Sequence, residues 1–313
     1  MTSLPLVDAD CRDFAASFPV FDPERVTIAQ LRQAVRAALP TDGVRGEERF
    51  APGPQGSPDV RVLLYRPERV KPAAPALLYL HGGGFIAGGP EIADVDNFRL
   101  ARDAGAVIVA VNYRLAPETP FPGPLEDCYA ALQWLFVEAE RLGVDPNRIG
   151  VMGHSAGGCL AAALALLARD RGAHRLKCQF LIYPALDPRT GTPDAPVDNP
   201  TTGEFLWTRS ANQFGWAAMS GGLSPGELTG ESLGHFAPAL AEAVAGLPPL
   251  FIAVGSLDLF LEEDVAYALR LARAGVPVEA HVYPGGVHRF DEVAGRLADT
   301  FNRDLRSALD RLL

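Results

Sequence analysis

The chain has 313 residues, with 28 Lys plus Arg against 38 Asp plus Glu, a formal net charge of −10, and 48% hydrophobic residues. That apolar share excludes a disordered chain, and the acidic balance gives neither nucleic acid nor an anionic membrane surface anything to bind. No apolar run approaches the roughly 20 residues of a membrane span, so stable membrane insertion is not expected.

The opening stretch MTSLPLVDADCRDF lacks the basic and apolar regions of a secretory leader, and a cytoplasmic globular protein is the expectation. VTIAQLRQAVRAALP then reads as an amphipathic helix with Ile28, Leu31, Val35 and Leu39 on one stripe. Three strand-like runs follow, DVRVLLYRP, PALLYLHGG and AVIVAVNYR, each bounded by Gly, Pro or Asp. PLEDCYAALQWLFVEAERLG is helical in its spacing, RIGVMGHS is a strand, SAGGCLAAALALLARDRG a helix and CQFLIYP a strand. Residues 188 to about 235 break the alternation: they are rich in Gly, Pro, Thr and Ser, with Phe205, Trp207, Phe214 and Trp216 interspersed. A connection of that length in a compact domain suits a lid or binding loop. PLFIAVGS, LEEDVAYALRLARAG, VEAHVYPG and RLADTFNRDLRSALDRLL close the chain as strand, helix, strand, helix. Strands apolar on nearly every residue, alternating with helices, predict an α/β fold with a mostly parallel sheet covered on both faces.

Chemistry enters at Gly153-His154-Ser155-Ala156-Gly157, a G-x-S-x-G sequence with a strand before it and a small-residue helix after it. The glycines allow the sharp turn that exposes a serine hydroxyl at the carboxyl end of a sheet, so Ser155 is the candidate nucleophile. The helix N-terminus beside it favours an oxyanion. In LLYLHGGGFIAGGP, three glycines after a strand leave backbone N–H groups unshielded, a second oxyanion-binding feature. No Walker-type Lys-Ser/Thr ending and no GxGxxG spacing points to a phosphate ligand instead. His81 reads as a brace for this loop rather than a proton carrier. Among downstream histidines, His281 lies inside a strand, whereas His288 follows Pro284-Gly285-Gly286 in a loop at the same sheet edge as Ser155. Asp258 sits just past the preceding strand, while Glu262, Glu263 and Asp264 read as the charged first turns of a helix. The order Ser155, Asp258, His288 is that of an α/β-hydrolase triad. The four cysteines, at 11, 128, 159 and 178, have no metal-like spacing and read as small buried hydrophobes.

HGGGF, NYRLAPETPFP, GHSAGG, GSLD and the VHRF loop together resemble the hormone-sensitive-lipase group of bacterial esterases, from about residue 45 to the C-terminus. The resemblance implies one α/β-hydrolase domain over residues 1–313 with a mainly helical cap, here residues 1 to about 45 and 188 to about 235. It implies hydrolysis of carboxylic esters with short or medium acyl chains by nucleophile Ser155, base His288 and orienting acid Asp258. The N–H groups of Gly83, Gly84 and Ala156 would line the oxyanion hole, and no metal or organic cofactor would be needed. Homodimerisation occurs in the family, commonly through the last strand region. Two positions depart from the pattern: the residue before the nucleophile, usually Asp, is His154, and the D-P-L-x-D-E acid region lacks its proline, Asp258 being followed by Leu259. Phe85, Tyr183, Trp207, Phe214 and Phe290 are candidates to line the substrate pocket, against ordinary core packing. The same machinery could cleave an amide or formamide. A non-catalytic receptor on this scaffold, like the gibberellin receptors, lacks the base that His288 supplies here.

Overall fold

In the computed structural model, residues 2–39, 43–69, 71–223 and 227–313 are described. The expected cap segments therefore lie partly outside the described residues, at position 1, at 40–42 and at 224–226. Strands β1 (Glu47–Ala51), β2 (Val60–Tyr65), β3 (Ala74–Leu80), β4 (Val107–Val111), β5 (Val144–His154), β6 (Gln179–Ile182), β7 (Leu250–Gly255) and β8 (Val278–Tyr283) form one sheet. Their spatial order is β1-β2-β4-β3-β5-β6-β7-β8; β1–β2 and β2–β4 are antiparallel, and every other pair is parallel. The seven strands read from the sequence are all present.

The helices are α1 (Arg12–Ser17), α2 (Ile28–Ala37), α3 (Asp94–Ala104), α4 (Gly123–Leu142), α5 (Ala156–Arg171), α6 (Arg209–Ser220), α7 (Glu231–Phe236), α8 (Leu261–Arg273) and α9 (Arg296–Leu312). Because successive strand residues point to opposite faces, β3 sends Leu78 and Leu80 to one core and Leu77 and Tyr79 to the other. The first core is closed by α4, α5 and α8, the second by α3, α9 and the N-terminal residues Val7, Cys11 and Ala15. All four cysteines are buried and unbridged.

Two elements absent from the sequence reading, β1 and α3, bury little hydrocarbon, whereas α6, also absent from it, buries Ala211, Trp216 and Met219. β1, Glu-Glu-Arg-Phe-Ala, is an edge strand that exposes Glu48 and Phe50, leaves Glu47 and Arg49 half-buried and buries Ala51. In α3 the buried stripe is Asp94, Asn97 and Ala101 rather than a row of large apolar residues. Asp94 is held there by N–H bonds from Arg45 (2.9 Å) and Gly46 (3.2 Å), the Tyr65 hydroxyl (3.0 Å) and the Arg45 guanidinium (3.0 Å).

Residues 2–39 do not act as one piece. The first part packs against the loop that carries His288 and the start of α9, whereas α2 rides over the glycine loop after β3. There Phe21, Ile86, Ala116 and Ala211 form a third, small apolar cluster, bordered by half-buried Val26, Leu31, Trp207 and Phe214. The stripe Ile28, Leu31, Val35 and Leu39 is the half-buried side of the α2 segment. A capping box, in which Thr27 and Gln30 each satisfy the other's backbone N–H, closes the start of α2.

Candidate active site

Ser155 stands between β5 and α5 at φ 55°, ψ −121°, a strained conformation for a residue with a Cβ. Its N–H donates to Ile182 O (2.9 Å), and its carbonyl accepts from Cys159 (3.0 Å) and Ala185 (3.2 Å), which holds the turn from three sides. Two residues later a Cβ on Gly157 would lie 2.1 Å from Leu80 O, so only glycine lets α5 start against the end of β3.

His288 comes from the loop between β8 and α9, and Asp258 from the turn after β7. His288 Nε2 lies 3.0 Å from Ser155 Oγ, and His288 Nδ1 lies 2.8 Å from Asp258 Oδ2. The other oxygen of Asp258 accepts the Phe260 N–H (3.1 Å), fixing the carboxylate. All three side chains are buried, and the Tyr183 and Phe260 rings meet the imidazole of His288 edge-on at 4.7 and 5.4 Å. The two downstream histidines separate as read: His281 stays on β8 beside Glu279 (2.9 Å), remote from Ser155 in the hydrogen-bond pattern.

The glycine loop runs alongside the serine; a Cβ on Gly82 would be 3.4 Å from that of Ser155. Gly83 (φ 131°) adopts a conformation closed to side chains, and its carbonyl accepts N–H bonds from Ile86 (3.1 Å) and Ala87 (3.0 Å). Among the described residues the N–H groups of Gly83, Gly84 and Ala156 have no hydrogen-bond partner. His81 braces the loop: its Nδ1 lies 2.8 Å from Gly82 O, and its ring stacks on Tyr113 at 4.2 Å. Burial pushes its pKa down to about 4, so it is neutral at pH 7.

Position 154 has its own partner. His154 Nε2 is 3.6 Å from Asp291 Oδ2, while the Tyr183 hydroxyl donates to Asp291 Oδ1 (2.8 Å). Burial opposes the Asp291 charge, but the contacts with His154 and then Tyr183 outweigh it and hold the carboxyl below its ordinary range. Asp291 was not singled out in the sequence; only its place three residues after His288 hinted at it.

The acidic start of α8 differs from expectation. Glu263 and Asp264 are buried rather than solvated. Glu263 accepts the Leu186 N–H (2.6 Å) and the Thr190 hydroxyl, tying the chain after β6 to α8. Burial first, then Glu263 and Asp258, push the Asp264 carboxyl well above its usual range, and its oxygens have no partner among the described residues.

Of the five aromatic candidates, Phe290 is fully buried between Tyr283 and Phe301 and packs as core. Phe85 and Tyr183 are also buried, against Trp216 and His288 respectively. Trp207 and Phe214 keep partial exposure, and a Cβ on Gly84 would sit 2.2 Å from the Trp207 ring. Among the described residues no cluster of His, Cys, Asp and Glu could hold a metal ion, and no helix is long and apolar enough to cross a membrane.

A mostly parallel sheet with a strained serine elbow at its carboxyl edge is the architecture of the α/β hydrolases. The family profile described as the alpha/beta hydrolase fold matches residues 77–292, and the chain belongs to that family. Within it the chain falls in the hormone-sensitive-lipase-like group that its motifs resemble. It is 36% identical over 310 residues to carboxylesterase NlhH of Mycobacterium tuberculosis (96% of this chain, 93% of the relative). It is 37% identical over 232 residues to an ethyl acetate hydrolase of Pseudomonas putida (73% of this chain, 70% of the relative). Among solved structures, a bacterial heroin esterase matches with TM-score 0.87 and 37% identity, covering 100% of this chain and 99% of the other.

Proposed function

We propose that this protein, a carboxylic ester hydrolase by its relatives, is a serine esterase working through Ser155, His288 and Asp258 by way of an acyl-enzyme. The observation that carries the proposal is the continuous contact from Ser155 Oγ through His288 (3.0 Å) to Asp258 (2.8 Å), at an elbow facing the glycine loop. Asp258 keeps the proton of His288 on Nδ1, which leaves Nε2 free to accept the hydroxyl proton as Oγ attacks the ester carbonyl. The developing oxyanion is taken by the N–H groups of Gly83, Gly84 and Ala156, which are otherwise unpaired among the described residues. His288 returns the proton to the leaving alcohol, then activates the water that releases the acid.

Acyl groups of short to medium length fit this reading. Trp207 stands against Gly84 and, with Phe214, is one of the two pocket candidates that solvent still reaches, so α2 and α6 would cap a confined site. The similarity to an ethyl acetate hydrolase agrees with small esters. Ser155→Ala is expected to lower kcat on p-nitrophenyl butyrate by about 10⁴–10⁶ with the fold intact; an Ala variant of normal activity would overturn the assignment. A p-nitrophenyl series from acetate to dodecanoate is expected to peak at or below about eight carbons, and a maximum at dodecanoate would overturn the chain-length reading.

A further inference from the structure

The segment NYRLAPETPFP (112–122) has so far only been a mark of resemblance, yet it lies beneath the glycine loop. The Tyr113 hydroxyl donates to His81 O (2.6 Å), and the Ala116 N–H donates to Phe85 O (3.0 Å). From the opposite side, one side chain of α2 reaches both strips of backbone. Arg32 donates from Nε to Ile86 O (2.7 Å) and from Nη2 to Ala116 O (3.0 Å). Its Nη1 and Nη2 also form a bidentate pair with Glu118, both at 2.8 Å. Four of the five N–H groups of a planar fork are thus aimed at fixed targets, which a lysine ammonium does not reproduce.

Glu118 is largely exposed, so its pair with Arg32 adds little stability; what it supplies is orientation. The contact holds the Glu118 carboxyl down at about 2, so it stays charged throughout the neutral range. The two carbonyl bonds are the structural ones. Ile86 is the residue whose N–H closes the turn onto Gly83 O, so Arg32 grips the glycine loop where its shape is set. Hydrophobic attachment of α2 is thin by comparison, since it buries no residue fully and adds only half-buried Leu31 to the small cluster around Ile86 and Ala116.

We propose that Arg32 is a positioning residue of the ester hydrolase: it ties the cap helix to the glycine loop and the 112–122 segment, so that Gly83 and Gly84 present their N–H groups correctly to the oxyanion. This rests on the oxyanion-hole reading above. Displacing donors costs less than deleting one, which lowers kcat by about 10²–10³, but misplacement on the ångström scale is still expensive.

The test compares Arg32→Met and Arg32→Lys with Arg36→Met, which removes an exposed charge one turn further along α2. Expected for Arg32→Met is a fall in kcat on p-nitrophenyl acetate of about tenfold or more, with KM within about threefold. Affinity for a trifluoromethyl ketone, whose adduct with Ser155 carries the oxyanion, should fall by the same factor. Arg32→Lys, which keeps the charge and loses the fork, should lie between wild type and Met, and Arg36→Met should stay within about twofold of wild type. The proposal is overturned if Arg32→Met keeps wild-type kcat, or if kcat falls while ketone affinity does not. Should Arg32→Met fail to fold, Arg32→Lys carries the same two criteria. A wild-type protein without esterase activity, or one indifferent to Ser155→Ala, would instead remove the underlying reading.

Discussion

Two helices flank the proposed oxyanion site, and they are held in opposite ways. α5, which starts at the candidate nucleophile, buries every residue from Ala156 to Ala168 between the sheet and its neighbouring helices. α2, which rides over the glycine loop, buries none of its residues fully and is attached by Leu31, by the rest of a half-buried stripe and by the four hydrogen bonds of Arg32. Small residues let α5 approach the backbone of β3 closely, so dispersion and hydrophobic burial fix the half next to Ser155, while Arg169, Asp170 and Arg171 make polar contacts at its far end. A thin apolar contact leaves α2 to depend on directional bonds. The Ser155 side of the site is therefore held chiefly by packing, and the glycine-loop side by hydrogen bonding to carbonyls.

Substitutions can break this contrast. Leu164→Ala in α5, at a fully buried position, is expected to cost about 2–5 kcal/mol in chemical denaturation. Leu31→Ala in α2 should cost about 1 kcal/mol or less, because the leucine is only partly covered and its site is open to water. Equal costs would show that α2 is packed as firmly as α5.

The next effect in size concerns His154. Restoring the family's usual residue with His154→Asp sets a carboxylate against Asp291, now 3.6 Å from the imidazole, in a largely buried place. A loss of about 3 kcal/mol is expected at pH 7. It should shrink as the pH falls, because one of two adjacent carboxyls then takes a proton. His154→Asp combined with Asp291→Asn should recover most of the stability, measured by denaturation at pH 5 and pH 8. If the double variant is no better than the single, the His154–Asp291 contact is not what the strand leading to Ser155 needs.

Asp264 gives a smaller, pH-dependent effect. Its carboxyl is held well above its ordinary value in the fold, while in the unfolded chain it titrates near about 4. Between those values the folded state binds a proton that the unfolded state has lost, so stability falls as the pH rises through that window. Asp264→Asn cannot ionise, so its Tm relative to wild type is expected to improve by a few °C from pH 5 to pH 8. A constant Tm difference over that range would mean that Asp264 does not retain its proton.

Strands β2 to β8 and helices α2, α4, α5, α8 and α9 were legible because each carries an apolar run or an apolar period that survives without knowledge of its neighbours. Ser155, Asp258 and His288 were legible for a related reason: each follows a strand, so its position at the carboxyl edge of the sheet follows from local order. β1 and α3 were not, since the first buries only one side at the edge and the second buries Asp94 and Asn97, whose burial depends on Arg45, Gly46 and Tyr65 elsewhere in the chain. The acidic turn of α8 misled for the same cause. A Glu-Glu-Asp run at a helix start has the look of a solvated dipole cap, and nothing near it in sequence reveals that Leu186 and Thr190 wait for Glu263.

The sequence by itself determined the alternation of strand and helix, the serine elbow, the glycine loop and the order of the candidate triad, because these are set by short-range pattern and by glycine's freedom at the turn. Tertiary structure alone decided which aromatics stay accessible, that His154 faces Asp291, and that Arg32 reaches Ile86 and Ala116. Those contacts join residues 54 to 137 positions apart. A carbonyl acceptor or a buried carboxylate partner at that separation leaves no periodic trace, since hydrogen bonds and ion pairs are specified by distance and direction in space rather than by spacing along the chain.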